Sequence, residues 1–163
     1  MAQSDMFLRL EGKATGLVKG ESNVPEHPDE IEISAWGWGM SGANALGGGG
    51  PSARTALSEV RLHKRTDRAS TQLMSVMRNN EIVKKAVLSV RKAGTTPPLD
   101  YLKVTVLNGR ITSFKIGNAA PGSPDMLEEF ALAFEEIEIV YAPQSGAGER
   151  EADLSFTAQV HTD

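Results

Sequence analysis

The chain has 163 residues, 40% hydrophobic and 23% charged, with a formal net charge of -4 and no cysteine. That length suits one ordinary domain with its own core, a single domain over residues 1–163. The composition excludes a disulfide framework, a thiolate metal site and a cysteine nucleophile. It also offers no basic excess to follow a nucleic-acid backbone and no apolar run of membrane-spanning length.

The opening "MAQSDMFLRLEG" carries an acidic residue where a signal peptide would carry basic ones, and Arg9 interrupts its apolar run. Synthesis in the cytoplasm without a secretory signal is expected. Most of the chain beyond this opening alternates with period two, which predicts strands at Met6–Leu10, Glu30–Trp38, Ala56–Lys64 and Ile82–Lys92, separated by turn segments such as "VPEHPD" and "AGTTPP". Within the second strand, Trp36 and Trp38 share one face while Ile31, Ile33 and Ala35 share the other, so its end is apolar on both faces. Lys84, Lys85, Arg91 and Lys92 are expected on a solvated strand face.

One segment breaks the alternation. In "TDRASTQLMSVMRNN" the apolar residues Ala69, Leu73, Met74, Val76 and Met77 follow helical spacing, with Asp67 and Ser70 as N-cap candidates and Asn79-Asn80 as the exit. A short helix packed through Leu73 and Met77 is expected. Beyond it, "LDYLKVTVLNGRITSFKI" places Asn108-Gly109 between two alternating runs, the pattern of a two-residue hairpin turn. "PDMLEEFALAFEEIEIVYAP" fits either a helix or a strand with a β-bulge at Glu135-Glu136, and the β-branched "IEIVY" end favours the strand. "LSFTAQV" predicts a half-buried strand, with Leu154, Phe156, Ala158 and Val160 on one face.

Chemistry has little to work with. Gly37, Gly39 and Gly42 match a G-x-G-x-x-G spacing with Glu59 near the usual acidic offset, but glycines and a proline stand where the phosphate-binding helix should begin. No Lys-Ser/Thr closes a P-loop, and Ser41 lies one residue short of a nucleophile elbow. His27, His63 and His161 are expected to be solvated, and the "HTD" tail has no second ligand cluster. Glu128-Glu129 and Glu135-Glu136 are expected on a solvated edge, since consecutive strand residues point to opposite faces. No enzyme activity, cofactor or metal is expected.

"SAWGWGMSGANALGGGGPS" (Ser34–Ser52) remains, holding both tryptophans and seven of the sixteen glycines. Ordering the fourteen residues Met40–Ala53 costs on the order of 14–28 kcal/mol, which needs roughly 550–1,100 Å² of apolar burial in compensation. Met40, Leu46 and a few alanines cannot supply that within one subunit. Gly47, Gly48, Gly49 and Gly50 instead allow close backbone approach to a partner. A sugar platform built on Trp36 and Trp38 is the rival reading.

The stretches "DMFLRLEG", "GLVKGES", "DEIEISAWGWGMSG", "STQLMSVMRNNE", "AVLSVRKAG", "YLKVTVLNGRITSF" and "FALAFEEIEIVYAPQ" together resemble the haemolysin-coregulated protein family, Hcp, the tube proteins of bacterial type VI secretion systems. The resemblance spans nearly the whole chain in the same order. It implies a mainly β fold, a compact barrel of two antiparallel sheets with one short flanking α-helix and a protruding Gly-rich loop. It also implies strand over helix for the open segment. Six copies would form a ring, and rings would stack into a tube inside a contractile sheath with a VgrG-type spike protein at the tip. Export would then occur without a signal peptide, with effector proteins carried or protected in the lumen. The resemblance implies that Trp36, Trp38, Met40, Ser41, Leu46 and Gly47–Gly50 serve subunit contacts and that Gly37 lies near the lumen. Many relatives carry a serine at that position, so this chain offers no hydroxyl there. A tube subunit of another phage-tail-like contractile injection particle, or a secreted carbohydrate-binding β module, are the alternatives.

Overall fold

The computed structural model describes residues 5–42, 55–92, 99–143 and 152–160. In chain order the elements are β1 (Met6–Gly12), β2 (Gly16–Val18), β3 (Ile31–Ile33), β4 (Ala35–Gly37), β5 (Met40–Ser41), β6 (Ala56–Leu57), β7 (Val60–Arg65), α1 (Ser70–Arg78), β8 (Val83–Arg91), β9 (Asp100–Asn118), β10 (Met126–Ala133), β11 (Glu136–Tyr141) and β12 (Leu154–Gln159). All the strand pairings are antiparallel. Ten strands form one sheet along the path β2-β1-β8-β9-β10-β7-β4, with β3, β11 and β12 branching from it. This path stays open, so the barrel implied by the resemblance is a sheet folded over into two layers.

Three corners make the fold. β9 pairs β8 and β11 through its first half and β10 through its second, so one 19-residue strand belongs to both layers. Its bend lies at Asn108-Gly109, the pair predicted to be a hairpin turn. Asn108 does adopt a left-handed backbone (φ 52), but the chain continues past it as strand. The true reversal comes later, at Ala119–Asp125, where the Ala119 amide donates to the Asp125 carbonyl (2.9 Å). Gly109 is required by close approach, because a Cβ there would lie 2.3 Å from the Ala133 carbonyl oxygen.

The second corner, at Phe134-Glu135, divides β10 from β11 and settles the open segment as two strands. It lies beside the first, with the Glu135 amide donating to the Leu107 carbonyl (3.1 Å). The third is Ser34, between β3 on β1 and β4 on β7. Each corner resets the alternation of buried side chains. Ile31 and Ile33 are followed by Trp36, Val104 and Val106 by Ile111, and Phe130, Leu132 and Phe134 by Ile137, all against one core. The strand ending in the tryptophans is therefore not apolar on both faces, since the bend at Ser34 turns both rows inward.

Helix α1 covers one part of this core through Ala69, Leu73 and Val76, while Met77 is only half-buried. Its exit is a Schellman motif. The Asn80 amide donates to Met77 O (3.0 Å), the Glu81 amide to Val76 O (3.0 Å), and Asn80 takes the left-handed position (φ 51). The entry differs from expectation, because the cap position is Ala69 and no side chain caps the helix. Asp67 Oδ1 accepts from the Ala69 amide (2.9 Å), and the Ser70 hydroxyl turns into the core to donate to Glu128 Oε2 (2.6 Å).

That bond belongs to a buried polar cluster. Lys64 and Glu128 are cross-strand partners on inward positions of β7 and β10. The Lys64 ammonium contacts Glu128 Oε1 (2.8 Å), Asp67 Oδ1 (2.8 Å) and Ser70 Oγ (3.0 Å), which uses its three donors. The expected solvated edge is thus wrong for Glu128.

His27 is likewise buried rather than solvated, stacked on Phe7 with ring centroids 4.7 Å apart. Its ring nitrogens meet Glu30 (2.9 Å) and Asp100 (3.0 Å), tying the loop before β3 to the start of β9. Arg91 leaves the solvated face expected for it, lying 5.4 Å from the Phe7 ring and pairing with Glu26 (3.5 Å). Lys84, Lys85 and Lys92 are exposed. Glu81, just beyond α1, holds the β1–β2 turn by accepting from the Thr15 amide (2.9 Å), the Thr15 hydroxyl (2.8 Å) and the Ala14 amide (3.3 Å). The Thr15 amide chiefly lowers its carboxyl pKa below the ordinary value, against the opposing effect of burial.

Candidate functional site

The candidate site begins at β4, which pairs with β7 through Ala35↔His63, Trp36↔Leu62 and Gly37↔Arg61. Leu62 faces inward with no exposure, so its partner Trp36 does too, and Trp36 and Trp38 both pack half-buried against the core. Trp38 lies against Phe156, with ring centroids 6.4 Å apart, and its indole Nε1 is buried without a hydrogen-bond partner among the described residues. A sugar platform needs aromatic faces open to solvent, and these rings are committed to packing. Ala35 and Gly37 take the opposite, outward face. A Cβ at Gly37 would meet nothing within 4 Å, so that spot is open surface. Beside it Arg61 pairs with Glu129 (3.4 Å) across β7 and β10.

Past Trp38 the two strands continue as a separate ribbon, with Met40 opposite Leu57 and Ser41 opposite Ala56. The register slips by one residue at the junction. There Gly39 and Ser58 clamp one another, the Ser58 amide to the Gly39 carbonyl (2.9 Å) and the Gly39 amide to the Ser58 hydroxyl (2.9 Å). Residues 35–41 and 56–63 therefore form one bent antiparallel pair, rooted in the core and reaching outward. Met40 and Ser41 are exposed on it. Leu46 and Gly47–Gly50 lie outside the described residues, as does His161.

Catalytic arrangement is sparse. His63 is exposed on β7, and His27 is enclosed by Phe7, Glu30 and Asp100. Among the described residues no three His, Cys, Asp or Glu side chains gather closely enough to hold a metal ion.

Two further surfaces escaped sequence reasoning. The half-burial expected of β12 holds only at Ala158; Leu154 is 61% exposed, Phe156 40% and Val160 41%. Tyr141, opposite Leu154, is exposed as well. At the far end of the β9–β10 hairpin, Ile116, Met126 and Leu127 are exposed. The alternating pattern is visible in both stretches, but alternation shows that a face is apolar, not what covers it.

The chain matches the family model "Type VI secretion system effector, Hcp" over residues 7–141. It is 31% identical over 149 residues to Protein hcp1 of Pseudomonas aeruginosa, covering 90% of this chain and 88% of that protein. Its fold is similar to a solved type six secretion system protein (TM-score 0.80, 22% identity, covering 94% of this chain and 92% of the other). It is also similar to a type VI secretion system effector from Yersinia pestis (TM-score 0.75, 23% identity, covering 96% of this chain and all 100% of the other). With the Trp-x-Trp edge strand, its outward ribbon and the two-layer β fold in place, the match over most of its length shows that this chain belongs to the Hcp family of type VI secretion system proteins.

Proposed function

We propose that this chain is the structural subunit of a type VI secretion tube, forming hexameric rings that stack within a contractile sheath and leave the cell behind a spike protein. The observation that carries this reading is the bent pair 35–41/56–63. Its root is fixed by Trp36 and Trp38, and its outer part exposes Met40 and Ser41. A stiff root with an outward arm suits contact between subunits. The arm, including Leu46 and Gly47–Gly50, would lie against a neighbouring subunit or ring, where its ordering cost is offset by shared burial.

In this reading the whole chain acts as one tube-subunit domain without catalytic activity, and effector proteins travel in the lumen. Gly37 then belongs to the lumen wall, beside Arg61 and Glu129. Their charged pair, rather than a hydroxyl, would face cargo there. Negative-stain imaging of the purified protein tests the reading. Rings are expected, and a monodisperse monomer at every concentration would overturn it.

A further inference from the structure

The outward side of the layer built from β4, β7, β10 and the second half of β9 carries a charge opposite to that of the whole chain. On β7 the inward positions are Val60, Leu62 and Lys64, so Arg61, His63 and Arg65 all point outward, and all three are exposed. Lys115, also exposed, joins them through the cross-strand row His63↔Glu129↔Lys115. Two carboxylates adjoin this group. Glu129 lies among the basic residues and pairs with Arg61 (3.4 Å), while Glu59, at the end of the row, accepts from the Thr112 hydroxyl (2.8 Å). The fixed cations Arg61, Arg65 and Lys115 thus gather around Glu129 in a chain whose net charge is -4.

Spacing and neighbours narrow what this row fits. Alternate residues of a strand stand roughly 6.6–6.8 Å apart, so Arg61, His63 and Arg65 match carboxylates at every second position of another extended chain. Small residues flank them, Ala35 and Gly37 on β4 and Ser113 and Gly117 on β9. A Cβ at Gly37 or Gly117 would meet nothing within 4 Å, so a second backbone has room to approach. Leu127, the cross-strand partner of Arg65, is 40% exposed and gives the basic row an apolar neighbour. The aromatic side chains of these strands, Trp36, Phe114 and Phe130, all pack on the core, which leaves none among the described residues to stack nucleic-acid bases on this side.

We infer that this face binds an acidic polypeptide segment in extended form, with its carboxylates on Arg61, His63, Arg65 and Lys115 and an apolar side chain on Leu127. This rests on the proposed tube role, in which the side bearing Gly37 lines the lumen, and it names the class of cargo as proteins that present such a segment. The negative charge of the rest of the chain repels an acidic protein from other surfaces and so directs it to this one. Each pair on so open a face is weak and screened by salt. Copies of the row around one lumen offset that weakness, because a segment released from one row stays at high effective concentration near the next.

Fluorescence anisotropy with the full chain tests this. The probe is a labelled peptide in which Glu alternates with Thr around a central Leu, and its counterpart has Lys in place of Glu. The acidic peptide is expected to bind with an affinity that falls as salt rises, and Arg61→Gln with Arg65→Gln should weaken it about tenfold. Lys84→Gln with Lys103→Gln removes the same charge from exposed positions elsewhere and should change it by less than about twofold. Circular dichroism confirms that both variants fold. No binding of the acidic peptide, equal binding of the two peptides, or equal binding by the Arg61 and Arg65 variant and the unmodified chain would overturn the inference. So would a single-stranded oligothymidylate that binds more tightly than the acidic peptide and is weakened by the same two changes, since the face would then read phosphate. Peptide binding by a chain that forms no rings would instead overturn the proposed function and leave the specificity of the face standing.

Discussion

Lys64 Nζ and Glu128 Oε1 lie 2.8 Å apart with both side chains wholly out of solvent, directly opposite one another across the β7–β10 ladder. Such a pair is costly to desolvate, and more costly to break than to replace. Lys64→Met alone is expected to destabilise the fold by about 3–5 kcal/mol, since it leaves the buried Glu128 carboxylate without its cation, and Glu128→Gln should cost less because Asp67 still pairs with the Lys64 ammonium. Lys64→Met combined with Glu128→Leu should recover much of that loss. Urea unfolding midpoints of the three variants decide the matter, and equal losses from the single and double changes would refute it.

The turn held by Glu81 gives the protein a defined acid sensitivity. Its carboxyl titrates below the ordinary carboxylate range because the Thr15 amide, the Thr15 hydroxyl and the Ala14 amide favour the anion. A group with a depressed folded pKa contributes stability that is present above its unfolded pKa and lost as pH falls through its folded pKa. Glu81→Gln should therefore lower the melting temperature at neutral pH, and its difference from the unmodified chain should shrink as pH falls below the ordinary carboxyl value of 4.5 and through the lowered folded one. Thermal melts across that range check it; a difference independent of pH would count against it.

Two glycines should respond oppositely to a side chain. Gly109→Ala places a Cβ against the Ala133 carbonyl at the β9 corner and is expected to cost about 1–3 kcal/mol. Gly37→Ser enters open space and should leave stability within about 0.5 kcal/mol. Chemical denaturation of both variants measures the contrast directly.

Deleting Gly47–Gly50 should preserve the fold, because Trp36, Trp38 and the Gly39–Ser58 clamp root the arm independently of its tip. Ring contacts or stacking are expected to suffer instead. Far-ultraviolet circular dichroism should be unchanged while imaging shows fewer or unstacked rings, and normal tubes would refute the role given to the arm.

The surface relation between Gly37 and the Arg61–Glu129 pair yields a separate expectation about cargo. Reversing the pair, with Arg61→Glu and Glu129→Arg together, should keep the fold and ring assembly, because exposed ion pairs contribute about 0–1 kcal/mol. Co-purification of effector proteins with the rings should change, and an unaltered set of bound effectors would argue against cargo contact at this face.

Period-two alternation by itself determined that this chain is a strand protein, and helical spacing isolated α1 at nearly its observed place. The residue inventory likewise left a tryptophan-rooted strand and a glycine-rich arm standing out against sparse catalytic material. Only the tertiary structure decided where the chain bends. Asn108-Gly109 has the local chemistry of a hairpin turn, yet pairing with β8, β10 and β11 on either side carries β9 straight through it as a corner. Burial at Lys64, Glu128 and His27 was illegible for a related reason. Alternation identifies residues that share a face, whereas the identity of the inner face depends on which layer lies opposite, and each corner at Ser34, Asn108 and Glu135 resets that relation through long-range pairing that no local window contains.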